Sequence, residues 1–511
     1  VLNNCNQIIS SSIRTDFAGF ENIAIDSLPK GYLKAHLSNG YLYLINPGWD
    51  VDSSGLYIIG NSSAYDFNRK FLGTSYRKIL IDSIVIAESN MPVENRDKKK
   101  ISVLTVVSIV DGAMLAFCIA LPKACYGSCP TFYYEDNNDL KQTNGEGFSA
   151  AVLPCLEEAD IDALQNPSFS GSEVSLTMKN EAYETHAVNE VKLLAVKREP
   201  NENVFQDPQN NFYVCGNLIA VQSATASEGD IKELVLNMDE KERYSFTDTD
   251  QLKTNETVDF TFKNELRDSS LGFVLNFRQT LASTFVFYSF LSYMGTDAGE
   301  YYSRIERSDY LATQVKKRLT ALSQIEVYAY SDQKRKWILI NKFEETGPIA
   351  KNLQMVKIPF ECASQKEVKI RLKSYQGFFR FDFAALTHIK HTAVPIEMLP
   401  NQILYDMVND DEAVDLLNKD DDKYLCSLPG DIWKMNFKIP EVEQGNDFAF
   451  FVVSKGYYLE WFRENWLREK NPEKLRGIVI HDKKTWEQLS REFKAVEAEM
   501  ESNFWTSSVS M

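Results

Sequence analysis

Ile325-Glu-Val-Tyr-Ala-Tyr330, Trp337-Ile-Leu-Ile340, Met355-Val-Lys-Ile-Pro359, Val368-Lys-Ile-Arg-Leu372 and Phe378-Phe-Arg-Phe-Asp-Phe383 follow one another closely in the chain. Each is a short apolar or aromatic run bounded by polar residues, and five such runs at close spacing are the signature of a β-sandwich. Two further runs, 258–262 and 271–277, precede them. Between the two sets the period changes. Over 279–294, Leu281, Phe285, Tyr288 and Ser292 fall on one helical face, while Phe287, Leu291 and Met294 line the neighbouring one. The pattern predicts a sandwich domain over 246–392 that carries one buried helix.

Strand signals continue on the N-terminal side. Residues 32–37 and 41–45 alternate around Ser38-Asn39-Gly40, where Asn-Gly supplies the positive φ angles of a tight hairpin. Runs at 56–59, 64–67 and 78–87 extend this into an N-terminal β domain over 31–130, after a leader at 1–30. Within it, 101–121 is apolar except for Asp111 and is as long as a membrane-crossing helix. Asp111-Gly112 falls at its midpoint, where a lone carboxylate costs about 2.5–3.5 kcal/mol in a bilayer. The β-branched first half also fits two strands joined by an Asp-Gly turn. A buried core element, a segment dipping into a membrane and a span therefore all stay open.

Runs at 131–134, 173–178 and 190–196 mark a second β-rich domain over 131–245, and 393–511 reads as an α+β region. It begins with an acidic stretch, 409–423, that lacks the ligand spacing of an EF-hand and reads as a solvated loop. At its end Trp486, Leu489, Phe493, Val496, Met500 and Phe504 recur at spacings of three and four, which predicts a docked amphipathic helix. The fold class that results is mainly β with some α, in several domains built of antiparallel sheets.

The chain has 511 residues, and at roughly 100–200 residues per domain that implies about three domains. Its 72 Asp and Glu against 55 Lys and Arg give a net charge of −17, which repels phosphate backbones and argues against a nucleic-acid partner. The eight cysteines are too sparse for a small disulfide scaffold. Cys125 and Cys129 flank a Tyr-Gly-Ser turn and are a candidate bridge, with two reduced thiols as the alternative. Val1-Leu2-Asn3-Asn4-Cys5 resembles the end of a bacterial lipoprotein signal, which makes Cys5 a candidate for acylation and membrane attachment.

Catalytic signals are weak. The phosphate-cradling, dinucleotide-binding, zinc-protease and serine-hydrolase motifs are absent, so no catalytic residue, metal or cofactor is expected. Of the five histidines, His388 and His391 are near one another but have no Cys or carboxylate motif beside them. Glu184 and His186 share one face of a strand and form the nearest approach to an acid/base pair. Tyr457, Tyr458, Trp461 and Trp466 concentrate aromatic area that suits a sugar, a membrane surface, a protein interface or simple core packing.

Pro122-Lys-Ala-Cys125-Tyr-Gly-Ser-Cys129-Pro-Thr-Phe-Tyr133, Asn180-Glu-Ala-Tyr-Glu-Thr-His186, Arg278-Gln-Thr-Leu-Ala-Ser-Thr-Phe285 and Gly456-Tyr-Tyr-Leu-Glu-Trp461 together resemble an uncharacterised family of large envelope proteins of Bacteroidota, many of them lipoproteins. The resemblance runs from about Tyr32 to Trp505. It implies an envelope location and supplies no functional residue; the sandwich is expected to be galactose-binding-like. Asn6-Gln7-Ile8-Ile9 after Cys5 favours the periplasmic side of the outer membrane over the cell surface. The expectation is a non-enzymatic, lipid-anchored scaffold or accessory subunit of a membrane protein complex, with an outer-membrane β-barrel among its partners. A glycan-binding protein and a hydrolase centred on Glu184 and His186 are the alternatives.

Overall fold

The computed structural model describes residues 31–37, 41–65, 71–89, 129–136, 139–164, 169–170, 173–182, 184–265, 270–306, 308–344, 347–405, 407–421, 423–428, 430–440, 447–460, 466 and 469–506. The leader with Cys5, the hairpin turn at 38–40, the apolar run 101–121, Cys125 and Trp461 lie outside these residues.

The first sheet is antiparallel and built from β1 (Leu33–Leu37), β2 (Leu42–Ile45), β3 (Tyr57–Tyr65), β4 (Phe71–Leu80) and β5 (Ile84–Ser89). Their order is β5-β1-β2-β3-β4, with the two-residue strand Asp50–Val51 beside β3. Leu33, Ala35, Ile45, Ile58, Ile79 and Ile84 give it a small core of its own. Of the runs expected at 56–59 and 64–67, residues 57–59 and 64–65 fall on one strand, Tyr57–Tyr65. Gly60-Asn-Ser-Ser reads locally as a break, yet β3 is hydrogen-bonded along both edges. Gly60 is needed there because a Cβ would stand 3.0 Å from the Trp49 and Ile45 side chains. The run expected at 78–87 is likewise divided, by a 3-10 turn at Ile81–Ser83 that separates β4 from β5.

Five strands follow: β6 (Thr131–Asp136), β7 (Asp139–Glu146), β8 (Glu158–Ala163), β9 (Glu173–Lys179) and β10 (Glu184–Arg198). The chain then builds a sandwich from β11 (Asn203–Gln206), β12 (Phe212–Ala220), β13 (Ser223–Ala226), β14 (Asn255–Lys263), β15 (Leu271–Gln279), β16 (Gln324–Ser331), β17 (Lys336–Glu344), β18 (Asn352–Lys357), β19 (Glu367–Tyr375) and β20 (Phe379–Ala393). One layer runs β12-β11-β18-β15-β20, and β12 also pairs β20, so this layer closes on itself. The other runs β13-β14-β19-β16-β17. Phe273 meets Phe260 and Phe262 across the layers at 5.7 and 6.1 Å, and Phe277 meets Phe343 at 5.1 Å. Aromatic pairs at such spacings add to the area they bury.

After the sandwich the chain returns with β21 (Ile396–Met398), β22 (Gln402–Tyr405), β23 (Leu425–Ser427), β24 (Ile432–Lys438) and β25 (Asp447–Glu460). These do not form a separate domain with their sequence neighbours. β9 lies between β6 and β24, and β10 pairs β25 along its whole length, from Glu184 opposite Glu460 to Arg198 opposite Asp447. The stretches flanking the sandwich thus share two sheets, β22-β24-β9-β6-β7 and β21-β10-β25-β8, with β23 also on β10. The linear division at 245 and 393 is replaced by an insertion.

Helices α1 (Leu281–Met294), α2 (Ala298–Glu306) and α3 (Asp309–Leu322) link β15 to β16. Thr280 caps α1 by accepting a hydrogen bond from the Ala282 amide. The acidic stretch is not simply a loop. It contains α4 (Asp411–Leu417), capped by Asp410, with Ala413, Leu416 and Leu417 buried; carboxylates in the first turn suit the helix dipole. α5 (Pro472–Ile480), α6 (Lys483–Lys494) and α7 (Glu497–Thr506) complete the chain. The helix expected at the end is two helices, but its apolar stripe does dock: Trp486, Leu489, Phe493, Met500 and Phe504 are all buried. Phe493 meets Phe285 of α1 at 5.0 Å, and Glu501 accepts a hydrogen bond of 2.6 Å from the Leu281 amide. Among the described residues no helix is long and apolar enough to cross a membrane, which says nothing of strands.

Candidate functional site: a buried polar layer on β10 and β25

Side chains two residues apart on a strand share a face, so Glu184 and His186 of β10 point the same way. The pairing with β25 sets Glu460 opposite Glu184 and Tyr458 opposite His186, and β23 sets Ser427 opposite His186 on the other side. Five polar residues thereby gather on one sheet face, and all are nearly or wholly inaccessible, from 0% for Glu184 and His186 to 4% for Tyr458 and Glu460. A bulge between Val188 and Glu190 ends this patch. Beyond it Val191, Leu193 and Ala195 return to ordinary core packing.

The segment 145–151 covers the patch. Gly456 allows the close approach, since a Cβ there would stand 2.3 Å from the Ala187 carbonyl and 3.0 Å from the Phe148 ring. The Tyr458 amide donates to the Ala151 carbonyl at 2.9 Å and its hydroxyl to the Ser149 carbonyl at 3.3 Å. Phe148 and Cys129, both buried, have positive φ angles of 38° and 44°. Such angles are costly for residues with side chains and persist where surrounding packing enforces them. Tyr288 of α1 reaches in from the helical side and donates to Glu460 at 3.3 Å.

Glu146 lies beside this layer. Its Oε2 accepts hydrogen bonds from the Ile349 and Ala350 amides at 2.7 and 2.9 Å, and its Oε1 is buried with no hydrogen-bond partner. Gly347 makes that fit possible: φ is 102°, and a Cβ would fall 2.6 Å from Glu146 Oε1 and 2.7 Å from Ser149 Oγ. The Glu146 amide in turn donates to Asp162 at 2.9 Å.

Burial governs the ionisation of these groups. It pushes the Glu146 carboxyl up to about 8 and raises that of Asp162 well above the usual range. His186 is pushed down to about 3 by burial, while its Nε2 lies 2.8 Å from Glu184 Oε1 and its Nδ1 is buried with no partner. The Cys129 thiol is raised well above its ordinary value by burial, and then by the Glu184 and Glu146 carboxylates near it. Tyr458 is raised for the same first reason. Each of these shifts favours the uncharged form, as desolvation dictates. A thiol held protonated and a neutral imidazole with no exposed surface are poor nucleophile and base, because the thiolate is the reactive species and the base must reach a substrate. A cleft of about 60 Å³ lined by Ser149, Gln279, Ser283, Tyr288, Gly347 and Tyr458 adjoins the layer. It has room for water but is well below the size of about 300 Å³ at which small-molecule sites begin.

The structure therefore joins Glu184 to His186 as the sequence suggests and adds Tyr458 to them. Tyr457 faces elsewhere, edge-on to Tyr424 at 5.3 Å, and Trp466 lies against Tyr288 at 5.3 Å. The described rings of the aromatic cluster are buried and serve as core contacts. Cys129 is a free thiol whose sulfur is enclosed beside the carboxylates, and Cys125, its partner in the candidate bridge, lies outside the described residues. Sequence reasoning missed Glu146, Asp162 and Glu460. For Glu460 a signal existed, since Tyr458 and Glu460 alternate on a strand exactly as Glu184 and His186 do on its partner. Among the described residues no three His, Cys, Asp or Glu side chains converge as metal ligands would. No family model matches the chain, and no curated protein is significantly similar to it.

Proposed function

We propose that the chain is a non-catalytic scaffold or accessory subunit of a membrane protein complex, held at the periplasmic side of the outer membrane through a lipid on Cys5, and that it engages its partner along β4. The observation that carries this reading is the exposure of β4. Over ten residues it pairs only with β3 among the described residues, leaving its other edge open. Phe71, Leu72, Tyr76 and Leu80 are 55%, 49%, 66% and 37% exposed. Leu72, Tyr76 and Leu80 share the outer face, with Thr74 and Lys78 between them.

Soluble proteins usually blunt such an edge with charges, prolines, bulges or a covering element, because its unpaired amides and carbonyls accept another strand. An apolar outer face beside an open edge suits an extended segment of a partner, which gains main-chain hydrogen bonds and buries alternate side chains. The burial of the polar layer on β10 supports the non-catalytic part of the reading, as does the core role of the described rings.

Extraction from native membranes tests it. The wild-type chain is expected to carry an acyl adduct on Cys5 and to bring down a stoichiometric partner. Leu72→Lys with Tyr76→Lys is expected to keep the adduct and the fold and to lose the partner. Recovery of the wild-type chain as a bare monomer without lipid overturns the proposal.

A further inference from the structure

A second cleft, of about 290 Å³, lies where β8, the turn between β11 and β12, β17 and β18 meet. Its lining differs from that of the buried layer. Gln206, Gln209, Asn210, Asn341 and Gln354 supply carboxamides, Asp160 supplies a carboxyl, and no aromatic ring takes part. A molecule held there gains little from apolar burial and must exchange hydrogen bonds with its walls.

The walls are set in advance. The Asp207 carboxylate accepts hydrogen bonds from the Gln209 and Asn211 amides, both at 2.9 Å, and from the Tyr213 hydroxyl at 3.1 Å, which fixes the turn. Asn210 takes a left-handed φ of 61° within it and accepts from Gln206 Nε2 at 2.6 Å. Gln209 and Asn341 hold each other through two amide contacts, of 3.1 and 3.3 Å. A carboxamide offers two donors and two lone pairs, so these contacts leave hydrogen-bonding capacity on each side chain. Gln354 Oε1 is buried and has no donor among the described residues.

The charged groups of the lining do not ask for an ionic ligand. Lys342 donates to Gln324 at 3.0 Å and faces Glu326, and Glu344 accepts from Gln324 at 2.7 Å. Desolvation, and then the Glu158 carboxylate, raise the Asp160 carboxyl above its usual range, and its Oδ1 accepts a hydrogen bond from the Ile161 amide at 2.8 Å. What matches such walls is a small neutral molecule dense in hydroxyl groups, each of which both donates and accepts. Adjacent hydroxyls on a sugar ring present a donor and an acceptor side by side, the same pairing that one carboxamide offers.

We propose that this cleft binds a neutral saccharide, one or two rings in size, through its carboxamide walls. The site shares no residue with β4 or with Tyr457, Tyr458 and Trp466, so failure of either reading leaves the other standing.

Titration calorimetry and saturation-transfer NMR of the purified chain with glucose, galactose, mannose, xylose, N-acetylglucosamine and their common disaccharides test the proposal. At least one sugar is expected to bind saturably at one site. Gln354→Leu and Asn341→Leu are each expected to weaken it tenfold or more, whereas Tyr76→Lys leaves it unchanged. Asn341 is only half-buried, so that variant keeps the test valid if Gln354→Leu fails to fold, as thermal unfolding would report. Absence of saturable binding across the panel, or wild-type binding by the folded variants, overturns the proposal. Stronger retention of a charged probe such as aspartate or calcium at the same residues overturns it as well.

Discussion

β4 and β10 break the usual distribution of side chains in opposite directions. β4 leaves Phe71, Leu72 and Tyr76 in water, and β10 encloses Glu184 and His186 where water does not reach. Scattered surface leucines need no explanation, but an apolar stripe along an open edge and a buried ionisable pair both do. The difference lies in how each strand is flanked. β10 is hydrogen-bonded to β25 on one side and to β21 and β23 on the other, so its backbone polar groups are satisfied inside the protein. β4 has β3 alone. The enclosed strand holds its side chains within the core, whereas the open strand has an edge that no other described residue completes.

Substitutions on the two strands should separate accordingly. The largest effect is expected at Gly456, opposite β10. Gly456→Ala drives a Cβ into the Ala187 carbonyl and the Phe148 ring and should cost about 3 kcal/mol in chemical denaturation. Glu184→Ala removes the partner of the 2.8 Å contact with His186 Nε2 and leaves that buried ring nitrogen without it. A loss of about 2 kcal/mol is expected, and an unchanged midpoint would show that the pair has no structural weight.

The pH dependence is the next test. Glu146 keeps its proton in the folded chain up to about pH 8, whereas the unfolded chain releases it near the ordinary value of 4.5. Because the folded state then binds more protons, stability falls as pH rises from 4.5 through 8. Between pH 6.5 and 8 the fall from this group is on the order of 1.5 kcal/mol, below the full slope of about 1.4 kcal/mol per unit because the folded group is itself losing its proton near pH 8. Glu146→Gln should remove that part of the slope and leave what Asp160 and Asp162 contribute in the same direction. His186 acts on the other side. Its folded value near 3 against 6.5 unfolded means that stability is present above pH 6.5 and is lost as pH falls towards 3. On β4 the smallest change in stability is expected: Leu72→Lys with Tyr76→Lys should shift unfolding by no more than about 0.5 kcal/mol, because both side chains are exposed. A large destabilisation there would mean that β4 is core and not interface.

The sandwich strands and their buried helix were legible because they advertise themselves locally. Gln324–Ser331 alternates buried and half-buried residues along its whole length, and the stripe from Trp486 to Phe504 keeps helical spacing across the junction of α6 and α7. Pairing was not legible. Alternation shows which face a strand buries but not its neighbour, and nothing in Glu173–Lys179 announces that it lies against Ile432–Lys438. The candidate site was half readable for the same reason. Glu184 and His186 lie on one strand, whereas Glu146 sits between two glycines like any turn residue. It is buried by amides of Ile349 and Ala350, some two hundred positions away. The exposure of β4 was hidden too, since Leu72 and Tyr76 look no different in sequence from core residues.

Amide hydrogen exchange over residues 71–80 tests the central claim most directly, comparing the chain extracted from native membranes with the isolated chain. In the isolated chain, amides on the open edge of β4 should exchange quickly while those bonded to β3 are protected. The account predicts that the open-edge amides become protected in the extracted material and lose that protection with Leu72→Lys and Tyr76→Lys. Equal exchange across β4 in the two samples, with protection gained elsewhere or nowhere, would contradict it.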